Sequence, residues 1–249
     1  MTPRPEPIDP NTEAARRILD SIEAHYQPTH RYVNADPAAF AHLDLGWYDR
    51  VTRIFEGYGF RHLADIEDKT ITEAPNTVLR PTFLRALVSR DGTVTTALYD
   101  PRIKGLGLRL LLWLLRKTPK PVVDCETECT DGSFVGTSNG MGASAMQLPS
   151  LISAGWLPAG TKPEDVYATH TARVTAHLKA RPGVRAVVIR TREEMLQSQD
   201  RQNAIKAAFR GEIGGLTTAE LEKLSLFGTG NVPAVRAALD EEQARRRQG

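Results

Sequence analysis

A chain of 249 residues, 41% hydrophobic and 25% charged, can bury a substantial core without covalent staples, which excludes a disordered, fibrous or disulfide-framework protein. Its 32 Lys plus Arg nearly balance 30 Asp plus Glu, and the net charge of +2 gives no field strong enough to imply a nucleic-acid partner. The N-terminal stretch has no apolar core of a secretory signal, and no apolar run reaches the ~20 residues that span a bilayer, so the chain reads as a soluble globular protein of bacterial, cytoplasmic type.

Residues 1–10 are polar and rich in proline and read as a flexible lead. An α+β core domain is expected over 11–211, and a small helical appendage over 212–249. Asn11 or Thr12 is placed to cap a first helix through Ile18, Leu19 and Ile22. Phe40, Leu43, Trp47, Val51, Ile54 and Phe55 recur at helical spacing and give a second, ending at Gly57 and Gly59. A strand is expected from Phe60 to Ile71. His62 in that strand is a catalytic candidate, although a lone histidine there is more often packed or at an edge, because a general base needs an oriented partner.

Two stretches, LRALVSRDGTVTTALYD and VDCETECTDGSFVGTSN, each place Asp-Gly between strand-forming residues, the pattern of a hairpin with a two-residue turn. In the first, pairing through Asp91 and Gly92 sets Ala86 opposite Ala97 and Val88 opposite Thr95. In the second, Val123, Cys125, Thr127 and Cys129 point one way and Asp124, Glu126 and Glu128 the other, with Val135 opposite Glu128 and Thr137 opposite Glu126. Three carboxylates on one strand face suit a hard cation or an acid/base set; the plainer reading is an acidic edge facing solvent or pairing with arginines. Cys125 and Cys129 lie roughly 13 Å apart on a strand, too far for a disulfide, and read as buried free thiols rather than a zinc site.

Between the hairpins a leucine-rich helix is expected from Ile103 to Lys117, apolar around most of its circumference. Such a helix is buried in a core or lies on lipid. In the second case the 105–117 segment would present Arg109, Trp113 and Arg116 as an interaction surface at the headgroups. After the second hairpin, Gly140, Gly142 and Ala145 match a dinucleotide fingerprint in letters only, since they follow a hairpin strand and meet Pro149 soon after.

Leu148 to Pro163 reads as a connector or lid that packs Ile152, Trp156 and Leu157 onto the body. Thr161 and Glu164 have capping-box spacing before a helix to Ala180 that carries His170 and His177. His170 is a further catalytic candidate. Val184 to Arg190 reads as a strand, and a helix capped by Thr191 and Glu194 follows to Gly211. Its middle, Gln197 to Asn203, is seven consecutive polar residues, so that turn is exposed or lines a wet groove. Two more helices, 217–227 and 233–247, close the chain, with Arg245, Arg246 and Arg247 as a solvated end.

These elements give an α+β fold in which helices pack on an antiparallel sheet built from the two hairpins. No nucleophile elbow, phosphate loop, zinc-protease or calcium-loop motif is present, and no cofactor or metal is implied. Three functions remain: a non-catalytic protein binding another protein or a small molecule; an acid/base or metal-dependent enzyme of hydrolase type using Asp124, Glu126 and Glu128 with His62 or His170; and a peripheral membrane protein.

Overall fold

The structure is a computed structural model that describes residues 9–75, 77, 79–105, 119–140, 146–225 and 232–248. The fold is α+β. Seven strands form one open sheet in chain order: β1 Tyr32–Asn34, β2 Arg61–Asp68, β3 Leu84–Val88, β4 Thr95–Tyr99, β5 Val122–Glu128, β6 Phe134–Ser138 and β7 Ile152–Trp156. Neighbours are antiparallel except β6 and β7, which run parallel. The helices are α1 Pro10–His25, α2 Leu45–Gly57, the single turn α3 Lys69–Thr72, α4 Pro163–Lys179, α5 Arg192–Glu212, α6 Thr218–Ser225 and α7 Val232–Gln248.

Several expectations are corrected. β7 lies within the stretch read as a connector, and β1 was not anticipated. The strand expected to reach Ile71 stops at Asp68, whose carboxylate accepts from Ile71 N and starts α3. Val184 to Arg190 joins no strand ladder and crosses the hairpin tips instead, Val187 N donating to Glu128 O and Ile189 N to Gly92 O, each at 2.8 Å. Asp9, not Asn11 or Thr12, caps α1. α4 begins at Pro163 with no side-chain cap, so the Thr161 box does not form, whereas the Thr191 and Glu194 box at α5 does. Ile103, expected to begin a helix, forms an isolated antiparallel bridge with Leu79. The rest of that segment, 106–118 with Arg109, Trp113 and Arg116, lies outside the described residues, as do Gly142 and Ala145.

The hairpin loops are longer than the sequence suggested. In the first, Ser89 N donates to Val94 O and Gly92 N to Ser89 O, giving a four-residue loop; the register is as expected, with Ala86 opposite Ala97 and Val88 opposite Thr95. In the second, Cys129 N donates to Ser133 O and Gly132 N to Cys129 O, a three-residue loop whose extra residue shifts the register by one. Glu128 therefore faces Phe134, Glu126 faces Gly136 and Asp124 faces Ser138. In both loops the aspartate accepts from the backbone N–H two residues on, Thr93 or Ser133, at 3.1 Å, and the glycine takes the left-handed conformation that follows such a turn, with φ of 80° and 79°.

Alternation along the strands gives the sheet two unlike faces. On one, Leu87, Leu98, Val123 and Cys125 meet Phe55 of α2 and Val166 of α4 in the largest apolar cluster. Tyr48 of α2 anchors this face: its ring stacks on Phe83 at 4.4 Å, its hydroxyl donates to Phe83 O at 3.0 Å, and that hydroxyl accepts from Asp100 N at 2.9 Å. Burial pushes the Tyr48 phenol up to about 12, so it stays a neutral donor. The other face carries α5 and a smaller cluster around Ile66, Ala86, Ile189 and Met195.

The end helices form a third cluster, α1 against α7 with Leu216 and Leu221 between them. A buried ion pair ties this unit to α5: Arg210 Nη1 lies 2.7 Å from Glu220 Oε1, and its Nη2 donates to Gln147 O. Of the terminal arginines expected to be solvated, Arg245 is exposed and paired with Glu242 of its own helix, Arg246 is paired with Asp20 and Glu23 of α1, each at 2.8 Å, and the Arg247 side chain lies outside the described residues.

The loops yield a comparison of two variants. A Cβ on Gly132 would meet nothing within 4 Å, so Gly132→Ala carries only the backbone strain of positive φ, about 1–2 kcal/mol. A Cβ on Gly92 would lie 2.8 Å from Ile189 O and from Val188 Cγ1, so Gly92→Ala should be the more destabilising. Urea midpoints order the two, and equal midpoints would contradict the packing of the 184–190 segment over the first hairpin.

Candidate functional site

The register of β3 to β7 decides what lies under α5. One row across the sheet reads Ala86, Ala97, Asp124, Ser138, Trp156, and the next Val88, Thr95, Glu126, Gly136, Ala154. Residues two apart share a face, so both rows point toward α5. Most of them are too small to reach the helix, and a cavity of about 440 Å³ remains. Had Thr137 faced Glu126 and Asn139 faced Asp124, larger side chains would stand where Gly136 and Ser138 leave room.

The three carboxylates expected on one face are on it, but they are not equivalent. Glu128 is buried and takes a bidentate ion pair from Arg201 of α5, both oxygens at 2.7 Å. Glu126 accepts from the amides of Gln199, at 2.8 Å, and Gln202, whose own carbonyl accepts from Lys206. Burial raises the Glu126 carboxyl, opposed by Lys206 and the two amides. Asp124 has no hydrogen-bond donor among the described residues, and burial, with Glu126 beside it, pushes its carboxyl up to about 7. Lys206 opposes that shift. Tyr99 also lines the cavity, and burial followed by Asp124 raises its phenol.

The polar run Gln197 to Asn203, expected in an exposed turn or a wet groove, supplies Gln199, Gln202 and Asn203 to the cavity wall. Asn203 is only 6% exposed; its side-chain amide acts on the Tyr32 phenol and lowers it, but Nδ2 has no acceptor at hydrogen-bonding distance among the described residues.

A second polar group lies at the β1 side of the cavity. His30 Nδ1 is 2.6 Å from Asp68 Oδ2, and the two side chains are 6% and 13% exposed. His30 stacks on Tyr32 at 5.9 Å, and its Nε2 is buried without a partner among the described residues. Tyr32 pairs with Asp68 across β1 and β2; burial, then Asp68, raises its phenol. His30 was not singled out from the sequence. Its neighbour is 38 residues away, and β1, at three residues, is too short to show the alternation that would have placed it beside β2.

The histidines that were singled out sit elsewhere. His62 is half-exposed on β2, its Nε2 3.3 Å from Asp65 Oδ1, and β2 is three strands, about 14 Å, from β5. His170 lies under α4 on the opposite sheet face, fully buried, its ring nitrogens 3.0 Å from Thr127 Oγ1 and 3.1 Å from Thr137 Oγ1. Burial, with Arg173 nearby, pushes it down to about 4, so it packs as a neutral ring. Neither joins the carboxylates. Cys125 and Cys129 are buried free thiols.

Among the described residues, Cys129, Asp131 and His177 bring donor atoms within 4.8 Å of one another. Arg181 already stands in that cluster, its Nη1 2.7 Å from His177 Nδ1 and its Nε 3.6 Å from Asp131, so a guanidinium holds the place a metal cation would take. No helix among the described residues is long and apolar enough to cross a membrane. No protein-family model matches the chain, and comparison with curated proteins and with solved structures gave no match.

Proposed function

We propose that this protein binds a small polar organic molecule in the cavity between the sheet and α5. The observation that carries the reading is the cavity itself, about 440 Å³, within the ~300–1,000 Å³ range of small-molecule sites and lined by few convergent polar groups on a largely apolar wall. Among the described residues Asp124 accepts no hydrogen bond, and His30 Nε2 and Asn203 Nδ2 have no partner at hydrogen-bonding distance, which suits groups whose partners arrive with a ligand. Buried polar atoms otherwise find partners, because leaving one unpaired costs about 1–3 kcal/mol.

A second reading, acid/base catalysis in the same cavity, is supported by the pair of His30 and Asp68. A carboxylate on Nδ1 fixes the tautomer and leaves Nε2 free to take a proton. Glu126 and Glu128 already accept amide and guanidinium donors, which supports proton transfer over a metal centre on this face.

One substitution separates a cavity ligand from a surface one. Gly136 lines the cavity and a Cβ there meets nothing within 4 Å, so Gly136→Leu should fold and fill the space. Compounds found by thermal shift and native mass spectrometry should raise the midpoint of the native protein and not of Gly136→Leu; a compound at 100 times its Kd contributes about 2.7 kcal/mol. Equal shifts in both proteins would contradict the reading. For catalysis, a bound compound incubated in D2O should gain deuterium with the native protein and not with His30→Gln; incorporation that persists in His30→Gln would remove the base.

A further inference from the structure

We propose that the ligand of this cavity carries a cationic nitrogen, that Asp124 receives it, and that the same ligand bears a hydrogen-bond acceptor for Asn203: a small amino alcohol or a similarly substituted amine. The proposal rests on the cavity being the binding site, and it goes further by naming the ligand's chemistry.

The assignment follows from which charges are already matched. Glu128 is neutralised by Arg201, Glu126 is held by two amides, and Asp68 by His30. Lys206 donates to Gln202 and its charge acts on both Glu126 and Asp124, so one cation serves two carboxylates. Asp124 alone of these has no donor among the described residues. Its neighbours across the sheet are Ala97 and Ser138, too small to cover it, and space for a ligand atom is left above its carboxyl. Two aromatic residues stand on the same face close by: Trp156 is next in the row beyond Ser138, and Tyr99 is two residues from Ala97 along β4. A carboxylate in a cavity that aromatic side chains also line suits a cation, since a ring face within about 6 Å adds attraction to the ion pair. An anionic ligand would instead meet Asp124 and Glu126 together. A second group favours more than a bare cation: Asn203 Nδ2 is a donor, nearly fully buried at 6% exposure, with the Tyr32 hydroxyl beside it but no acceptor at hydrogen-bonding distance among the described residues. The unpartnered His30 Nε2 can accept from a ligand hydroxyl.

Three probes of one length and three charges test this: 5-amino-1-pentanol, 1,5-pentanediol and 5-hydroxypentanoate, each at millimolar concentration against the native protein, Asp124→Asn and Gly136→Leu, read by calorimetry and thermal shift. The amino alcohol should bind at least tenfold more tightly than the diol or the hydroxy acid. Asp124→Asn, close in shape, should keep an unfolding midpoint at or above that of the native protein, since it removes a carboxylate that burial disfavours, and should reduce amino-alcohol binding to the level of the diol. The carboxyl at Asp124 faces Glu126 on its own strand, Tyr99 on β4 and Lys206 on α5. With that carboxyl at about 7, a cation binds its ionised form, so affinity should fall roughly tenfold from pH 8 to pH 6 in the native protein and stay flat in Asp124→Asn. Equal binding of the diol, undiminished binding to Asp124→Asn, or no binding of the amine would each overturn the cationic assignment. If the diol or hydroxy acid binds as tightly as the amine and Gly136→Leu abolishes that binding, the cavity stands and only the cation falls. If amine binding survives Gly136→Leu, the cavity is not the site.

Discussion

The clamp between β5 and α5 is the constraint on which the site depends. α5 buries little apolar surface, chiefly Met195 at its first turns, and hydrophobic contact alone would not hold its full length over the sheet. Arg201 on Glu128, and Gln199 and Gln202 on Glu126, take that role. Arg201 is half-exposed while Glu128 is buried, so the pair contributes less than a fully buried one, and its bidentate geometry serves chiefly to fix the helix in place. With the helix fixed by these contacts, its height above the sheet is set by Glu, Gln and Arg side chains rather than by direct packing, and small residues at Ala97, Gly136 and Ala154 leave the space between unfilled. The cavity is therefore a consequence of a polar helix held over a floor of small side chains.

Strand alternation makes this affordable in stability, because the same strands supply a conventional core on their other side. Leu98 alternates with Ala97, Val123 and Cys125 with Asp124, and Thr137 with Ser138. Aromatic stacking of Tyr48, Phe83, Phe55 and Phe60 under α2 and α4 fills that side, so binding chemistry and stability occupy opposite faces of one sheet. The end helices contribute differently: Arg210 and Glu220 join α5 to the helical unit, and the Arg210 guanidinium lies 4.6 Å over Tyr26, a cavity-lining residue.

What was legible in the sequence follows the strength of local signals. Long alternating segments such as Val123 to Cys129 showed their faces, and the α+β class followed from the two Asp-Gly hairpins. The polar run in α5 was readable as wet because seven polar residues in a row cannot lie in an apolar core. The one-residue shift in the second hairpin was not readable, since Asp-Gly serves both a two-residue turn and a three-residue loop closed by a left-handed glycine. That shift exchanges every side chain facing β5, and with it the floor of the site. Pairing of His30 with Asp68 was hidden for a different reason: it depends on a three-residue edge strand finding its neighbour, a tertiary event with no local pattern. β7 was masked by the glycine and prolines around it, in LPSLISAGWLP.

The central claim is that Asp124 lies partly buried on the cavity floor with no donor among the described residues, and the titration of its side chain measures this most directly. Carbon-detected NMR of the protein labelled at aspartate Cγ, with the Asp124 signal assigned by its loss in Asp124→Asn, should show a midpoint near 7. A midpoint near 4, the ordinary carboxylate value, would mean that water or a protein donor already satisfies this carboxyl, and the cavity would not be the site described.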